Sequence, residues 1–600
     1  MNLTAARRSV DYLVKLCLKE SGSPEQIPFY PQKTRIPAPE EMPAMPKKQS
    51  PERAGVSSAR LETLLRDLEE DLRTHLHNLL IYRWGRLILS ASAPGYSPRV
   101  PSVTHSLAKS VTSLAVACLV GDGALSLSDR LVDIFRDELP PIVSRRMKRV
   151  TVRHLLTMTA GVIGVSETAA VTLEDWKRAF LSETPAYEPG SRFFYNSINS
   201  YMLSAVVEKV GGQPLEEVLK ARIFTPLGIT CYEIEKCPKG IAKGGWGMYL
   251  SPVDLGKLGL LLQAGGVWKG KQILPADYLR EATTAQVAVD EKYGDYDYGY
   301  HLWIARDGSS FLMNGMLGQN VLIGRENGLL SVSTCGNDEF YQQSSTLRLI
   351  AAALKEPFPD TLLPSPAARR HLRRAEENFF CRRSGIPETG HHEDLFSPGV
   401  ETPPPPEVGR LLGTYLPEKN NVGLLPLAWR IMQNNHAPGI TRISLAREEN
   451  TLVLTVTEGD ESRRIPCGYD AYRYTTLTYR EEPYLLGARC MMTENEDSVR
   501  LLRIDFVFPE LPNARRLKIY LTGEPEIPFA FSEIPGMDLV PSILNSLIAN
   551  AVKSGVYVLA QKHLSDALIR YRIRHCMEPI LYAAKIDDPA GTQKEPVKGE

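Results

Sequence analysis

The tetrad Ser106-Leu107-Ala108-Lys109 occurs once in the chain and opens the most apolar helical stretch of its N-terminal third. That stretch, Ser106 to Val120 (SLAKSVTSLAVACLV), is stopped by Gly121-Asp122-Gly123. Residues three apart share a helix face, so Ser106 and Lys109 stack one turn apart, amine beside hydroxyl. A free serine hydroxyl is a poor nucleophile, and an adjacent base is the usual remedy. Lysine serves as that base when burial or a cationic neighbour keeps it neutral near pH 7. The apolar start of this helix supplies the burial.

Alone, a tetrad with two fixed positions is easily met by chance. Two later segments give it weight. Phe193-Phe194-Tyr195-Asn196-Ser197 runs into a helical pattern from Tyr201 to Val207. Met313-Asn314-Gly315-Met316-Leu317-Gly318-Gln319 precedes Val321 to Ile323, an Asn327-Gly328 turn and Leu329 to Val332, which read as a β-hairpin. Ser-x-x-Lys, then Tyr-x-Ser, then a Gly-rich strand is the order that matters.

With these three pieces in sequence, the chain resembles the serine β-lactamase-related hydrolases, which include class C β-lactamases, D-Ala-D-Ala peptidases and esterase relatives. The stretch Thr151 to Gly161 (TVRHLLTMTAG) is similar to a signature of that family. Tyr187-Glu188-Pro189-Gly190-Ser191 resembles the approach to the tyrosine motif, and Gly244 to Met248 with Ser251 to Leu255 resembles the family's segment C-terminal to it. The resemblance covers roughly residues 51–354. It implies an α/β (α+β) fold, an antiparallel sheet flanked by helices with a helical lobe.

It also implies an acyl-enzyme serine hydrolase with Ser106 as nucleophile and Lys109 or Tyr195 as proton acceptor. The backbone N–H groups of Ser106 and Met316 are expected to form the oxyanion hole. Gly315 would let the strand approach the substrate, and Ser197, Met313 and Asn314 complete the expected site. No metal or cofactor is required. Two departures stand out. Ser197 replaces the usual Asn of the second motif, and Met313 stands where the third motif usually begins with Lys or His. Methionine cannot hold a substrate carboxylate, so the expected substrate is a small-molecule ester or amide without one at that place. An acyltransferase using the same acyl-enzyme, or a non-catalytic binding protein on the same scaffold, is the alternative.

Seventy basic and seventy acidic residues cancel, so the composition points to neither nucleic acid nor an anionic membrane as partner. The nine cysteines are scattered and odd in number, which fits free thiols in a reducing compartment. The N-terminal residues lack the uninterrupted apolar run of a signal peptide, and no run is long enough for a membrane span. A cytoplasmic protein is expected.

The domain reading has five parts. Residues 1–50 form a Pro-rich leader draped over the surface, 51–356 the hydrolase domain, and 357–408 a Pro-rich linker. Residues 409–535 carry short strands and polar turns, predicting an antiparallel β sandwich or lipocalin-like barrel. Residues 536–600 are expected to be a C-terminal helix with a frayed tail. The pair His391-His392 reads as exposed linker rather than a metal site. The linker predicts a separable C-terminal body that contributes nothing to the chemistry.

Overall fold

The computed structural model describes residues 30–165, 173–338, 344–355, 357–385, 395, 402–433, 438–522, 526–536, 574–575 and 577–586. Seven strands build one antiparallel sheet. They are β1 (Leu76–Arg83), β2 (Arg86–Ser92), β3 (Tyr296–Tyr298), β4 (Trp303–Ala305), β5 (Ser310–Gly315), β6 (Gln319–Gly324) and β7 (Leu329–Cys335), ordered β2-β1-β7-β6-β5-β4-β3. Trp84 and Gly85 join β1 to β2 with φ of 49° and 75°, the two-residue turn whose twist suits a hairpin. The first hairpin pairs with the last strand of the sheet, Leu80 opposite Val332 and Tyr82 opposite Leu330.

Helices cover both faces: α1 (Ser58–Glu70), α2 (Ala108–Gly121), α3 (Ser197–Gly211), α4 (Pro252–Gln263), α5 (Ser345–Leu354) and α6 (Pro366–Glu377). Strand alternation sorts the sheet's side chains between two cores. Leu80, Tyr82, Met313, Val321 and Val332 pack with α2, α3 and α4. Leu79, Ile81, Leu312 and Leu322 pack with α1, α5 and α6 on the other face. Every residue of α2 from Ala108 to Leu119 is buried, the polar Lys109, Ser110, Thr112 and Ser113 included.

The second body is the barrel, not the sandwich. Its strands are β8 (Gly413–Pro417), β9 (Ile440–Glu448), β10 (Thr451–Glu458), β11 (Glu461–Tyr469), β12 (Arg473–Tyr479), β13 (Glu482–Glu494), β14 (Arg500–Val507), β15 (Ala514–Tyr520), β16 (Glu526–Ile534) and β17 (Ile580–Ile586). They run β11-β10-β9-β8-β17-β16-β15-β14-β13-β12, and a short parallel pairing of β11 with β13 at Gly468–Arg489 closes the ring. Closure leaves β12 as a flap on the first half of β13. Side chains fill the interior, among them Ile443, Leu454, Ile465, Leu486, Ile504, Leu517, Phe529 and Leu581. A short helix, α7 (Leu427–Gln433), adds Trp429 to that core.

Three parts of the domain reading are corrected. The stretch 357–408 is no free spacer: α6 lies within it, Leu372, Phe379 and Phe380 are buried against the α1 face, and Arg383 donates to the carbonyls of Asp71 and Thr74. The tail holds a barrel strand, because β17 fits between β8 and β16 with Tyr415 opposite Lys585 and Ile527 opposite Ala583. The leader is wedged in rather than draped, at least from residue 30. Gln32 N–H donates to Glu482 at 2.6 Å, and buried Lys33 pairs with Glu510 of the barrel. The expected helix within 536–577 and the pair His391-His392 lie outside the described residues, apart from the short piece at Arg574, His575 and Met577–Glu578.

The two bodies are not independent either. Val103 and Tyr249 of the first sit in the apolar cluster of the second. Val103 N–H donates to Glu510 O at 2.9 Å, and Gly336 lies so close to the Pro512 carbonyl that a Cβ would stand 2.1 Å from it. Among the described residues no helix is long and apolar enough to cross a membrane.

Candidate active site

Ser106 falls in a 3-10 turn, His105–Leu107, that leads directly into α2. Lys109 is 1% exposed, and its Nζ stands 2.8 Å from Ser106 Oγ and 2.7 Å from Gly245 O. Ser106 itself is half-buried. The next turn of α2 binds two loops through its polar side chains. Ser110 Oγ donates to His301 O at 2.6 Å, Thr112 Oγ1 to Gly244 O at 2.6 Å, and Ser113 Oγ to Tyr300 O at 3.0 Å.

Gly244 and Gly245 stand out in the sequence only through their family resemblance; the structure gives them a job. A Cβ on Gly245 would lie 2.7 Å from the Ser197 carbonyl, and one on Gly244 would lie 2.8 Å from that of Ser200. The loop can therefore wedge between α2 and α3 and present its carbonyl to Lys109. Ser197 is buried in the first turn of α3. Asn196 caps that helix, accepting from Ile198 N–H at 3.0 Å and donating to Val162 O and Val165 O at 3.0 Å.

Tyr195, just before the cap, has its ring centroid 5.0 Å from Lys109 Nζ. It stacks on Trp303 at 6.0 Å and meets Tyr298 edge-on at 6.5 Å. Nothing in the spacing of these aromatics along the sequence marks them as supports for Tyr195. His301 meets Tyr298 edge-on at 6.2 Å, its Nε2 2.9 Å from Ser200 Oγ. Burial, with the Lys109 charge adding to it, lowers its imidazole to about 3.

The third segment runs alongside the first. Gly315 lies against the backbone of Thr104, where a Cβ would be 2.1 Å from the carbonyl. The glycine thus serves contact between strand and nucleophile turn, a sharper need than the substrate access expected. Asn314 donates to Asn320 across the β5–β6 pair at 2.6 Å. Met313 is fully buried in the cluster that contains Leu107 and Ala108. Met316 is partly buried beside Leu317.

Burial also governs the acid response. It is the main cause lowering His75 to about 4 and His77 and His105 to about 3, as it does for His301. Between pH 6.5 and about 4 the unfolded chain takes up protons that these folded imidazoles refuse, so they withdraw stability as pH falls through that window. His77 stacks on Tyr96 at 3.8 Å, a contact phenylalanine preserves. His77→Phe is expected to flatten the acid slope by about 1 kcal/mol per pH unit. Chemical denaturation at about pH 7, 6 and 5 reads this, and an unchanged slope refutes it.

Ser106 and the buried Lys109 thus stand together at the mouth of an apolar helix, between an antiparallel sheet and a helical layer. Residues 62–341 match the family model described as Beta-lactamase, and this part of the chain is a β-lactamase-family domain. The chain is 31% identical over 150 residues to Esterase EstB of Burkholderia gladioli, covering 22% of this chain and 36% of the esterase. It is 24% identical over 143 residues to a Beta-lactamase of Escherichia coli K12, covering 24% and 37%. The chain thus spans little more than a third of the length of these relatives. A penicillin-binding protein homologue from Caulobacter crescentus superposes with a TM-score of 0.41 and 16% identity, over 51% of this chain and 99% of that one.

Proposed function

We propose that the chain is a serine hydrolase that forms an acyl-enzyme on Ser106 and cleaves ester or amide bonds of a small molecule. The observation that carries this reading is the amine of a buried lysine 2.8 Å from a half-buried serine hydroxyl. Ser106 Oγ attacks the substrate carbonyl carbon, the carbonyl π pair moves to oxygen, and the hydroxyl proton passes to Lys109 or Tyr195. The N–H groups of Ser106 and Met316 receive the oxyanion, each such donor being worth about 3 kcal/mol in the transition state. Collapse expels the leaving group, which takes the proton, and water repeats the sequence to release the acid. The similarity to a protein named as an esterase supports the ester class.

Met313 argues against β-lactams. It is fully buried in apolar surroundings and offers no cation to a substrate carboxylate. Short-chain nitrophenyl esters are expected to turn over at least about 100-fold faster than a chromogenic cephalosporin, the margin a missing charged contact of about 3 kcal/mol sets. A plate of nitrophenyl esters, D-amino-acid amides and that cephalosporin tests the reading. Cephalosporin turnover equal to the best ester refutes it.

A further inference from the structure

We infer that the barrel completes the active site: its helix α7 positions both oxyanion donors, with Trp429 the chief positioning residue. The inference rests on the proposed acyl-enzyme reading and extends it to a part of the chain that the sequence leaves out of the chemistry.

The two proposed donors lie on adjacent backbone segments, and each is flanked by a non-glycine residue in the left-handed region. His105, immediately before Ser106, has φ 49°, and Leu317, immediately after Met316, has φ 62°. Such residues persist only where their surroundings over-determine them. Both surroundings include α7. The indole of Trp429 meets the His105 ring edge-on, with centroids 6.4 Å apart. Ala428 shares a buried apolar cluster with Leu317, against which Met316 packs.

The helix is itself held from both sides. Trp429 is 1% exposed and donates through Nε1 to Tyr484 Oη at 3.2 Å, which ties it to β13. Leu427 N–H donates to Glu533 of β16. At its other end Gln433 donates to Glu235 at 2.6 Å, and Glu235 pairs with Lys243 at 2.5 Å, the residue before Gly244-Gly245. One seven-residue helix thus contacts the nucleophile turn and the Met316 turn, and reaches by two steps the loop that binds Lys109. A fully buried indole touches no substrate, so its effect must pass through His105 and Ser106.

Oxyanion donors act only when fixed at hydrogen-bond distance from the place where charge develops. Loosening them weakens the transition state while leaving ground-state binding alone. Trp429→Ala is therefore expected to lower kcat on nitrophenyl butyrate by about 10–100-fold with KM within about threefold. Affinity for a boronic acid, whose boron accepts an electron pair from Ser106 Oγ while the hydroxyl proton passes to Lys109 or Tyr195, leaving a tetrahedral boronate anion, should fall by the same factor. Trp429→Phe, which keeps a ring against His105, should recover most of both.

Fluorophosphonate titration counts competent sites, so all rates are expressed per labelled Ser106. If Trp429→Ala fails to fold, Ala428→Val, which crowds Leu317 in their shared buried cluster, takes its place and is expected to lower kcat per site and boronate affinity together, and unchanged values in it overturn the inference. A fall in kcat per site matched by the boronate upholds the inference. Fewer sites with unchanged kcat per site, or full kcat and boronate affinity in Trp429→Ala, overturns it while leaving the hydrolase reading intact. A wild type that does not label at Ser106 removes the hydrolase reading itself, and this inference with it.

Discussion

Replacing Ser106 with alanine is expected to abolish ester turnover and covalent labelling while the fold stays intact. The hydroxyl is half-buried and makes one described contact, to Lys109, so its loss opens no core cavity. Lys109→Ala should cost nearly as much, at least about 10³-fold in kcat, because members of a catalytic unit do not lose activity in fractions. It also removes the contact to Gly245 O, which makes it the less stable of the two variants. Both are read by nitrophenyl ester kinetics with thermal melts alongside. Ser106→Ala activity above about 1% of wild type refutes the nucleophile assignment, since the loss expected is orders of magnitude larger.

Gly315→Ala is expected to be nearly as damaging by a different route. Its φ of −123° suits any residue, so the difficulty is space alone. A methyl group would stand 2.1 Å from the Thr104 carbonyl and 3.1 Å from the Gln319 side chain. Thr104 cannot retreat: its N–H and its hydroxyl both donate to Met248 O at 2.8 Å. β5 and the turn that carries Ser106 must separate, costing about 3 kcal/mol of stability. Ser106 lies two residues from Thr104, and a shift of about 1 Å there should lower kcat about 100-fold. A variant with wild-type melting and kcat would mean that β5 and the nucleophile turn tolerate the methyl group.

What the sequence made legible was local. Ser106 and Lys109 lie one helical turn apart, and the Trp84-Gly85 and Asn327-Gly328 turns sit between short apolar runs, so neighbours in sequence are neighbours in space. Barrel strands rich in aliphatic and β-branched residues and bounded by polar turns, such as Thr451–Glu458, were legible for the same reason. β13 was not, because Arg489 and Asp505 face each other across strands and pair at 3.1 Å, placing charge where a core pattern would show apolar residues. β11 hides similarly behind Arg463, which pairs with buried Glu458 at 2.9 Å. The contact of Trp429 with His105 joins residues far apart in the chain. No periodicity encodes such a meeting, and the role of α7 emerges only once both bodies are folded together.

The placement of β17 carries a consequence for how the molecule is made. A ribosome delivers β8 early and β17 last of all the barrel strands, yet β17 fills the gap between β8 and β16. Until Ile586 has left the exit tunnel, those two strands wait with unpaired edges, an invitation to pair with other chains. Release of a premature stop product would leave that seam open for good. Because α7 hangs from the same barrel, maturation of the hydrolase becomes a late event, coupled to the arrival of one seven-residue strand.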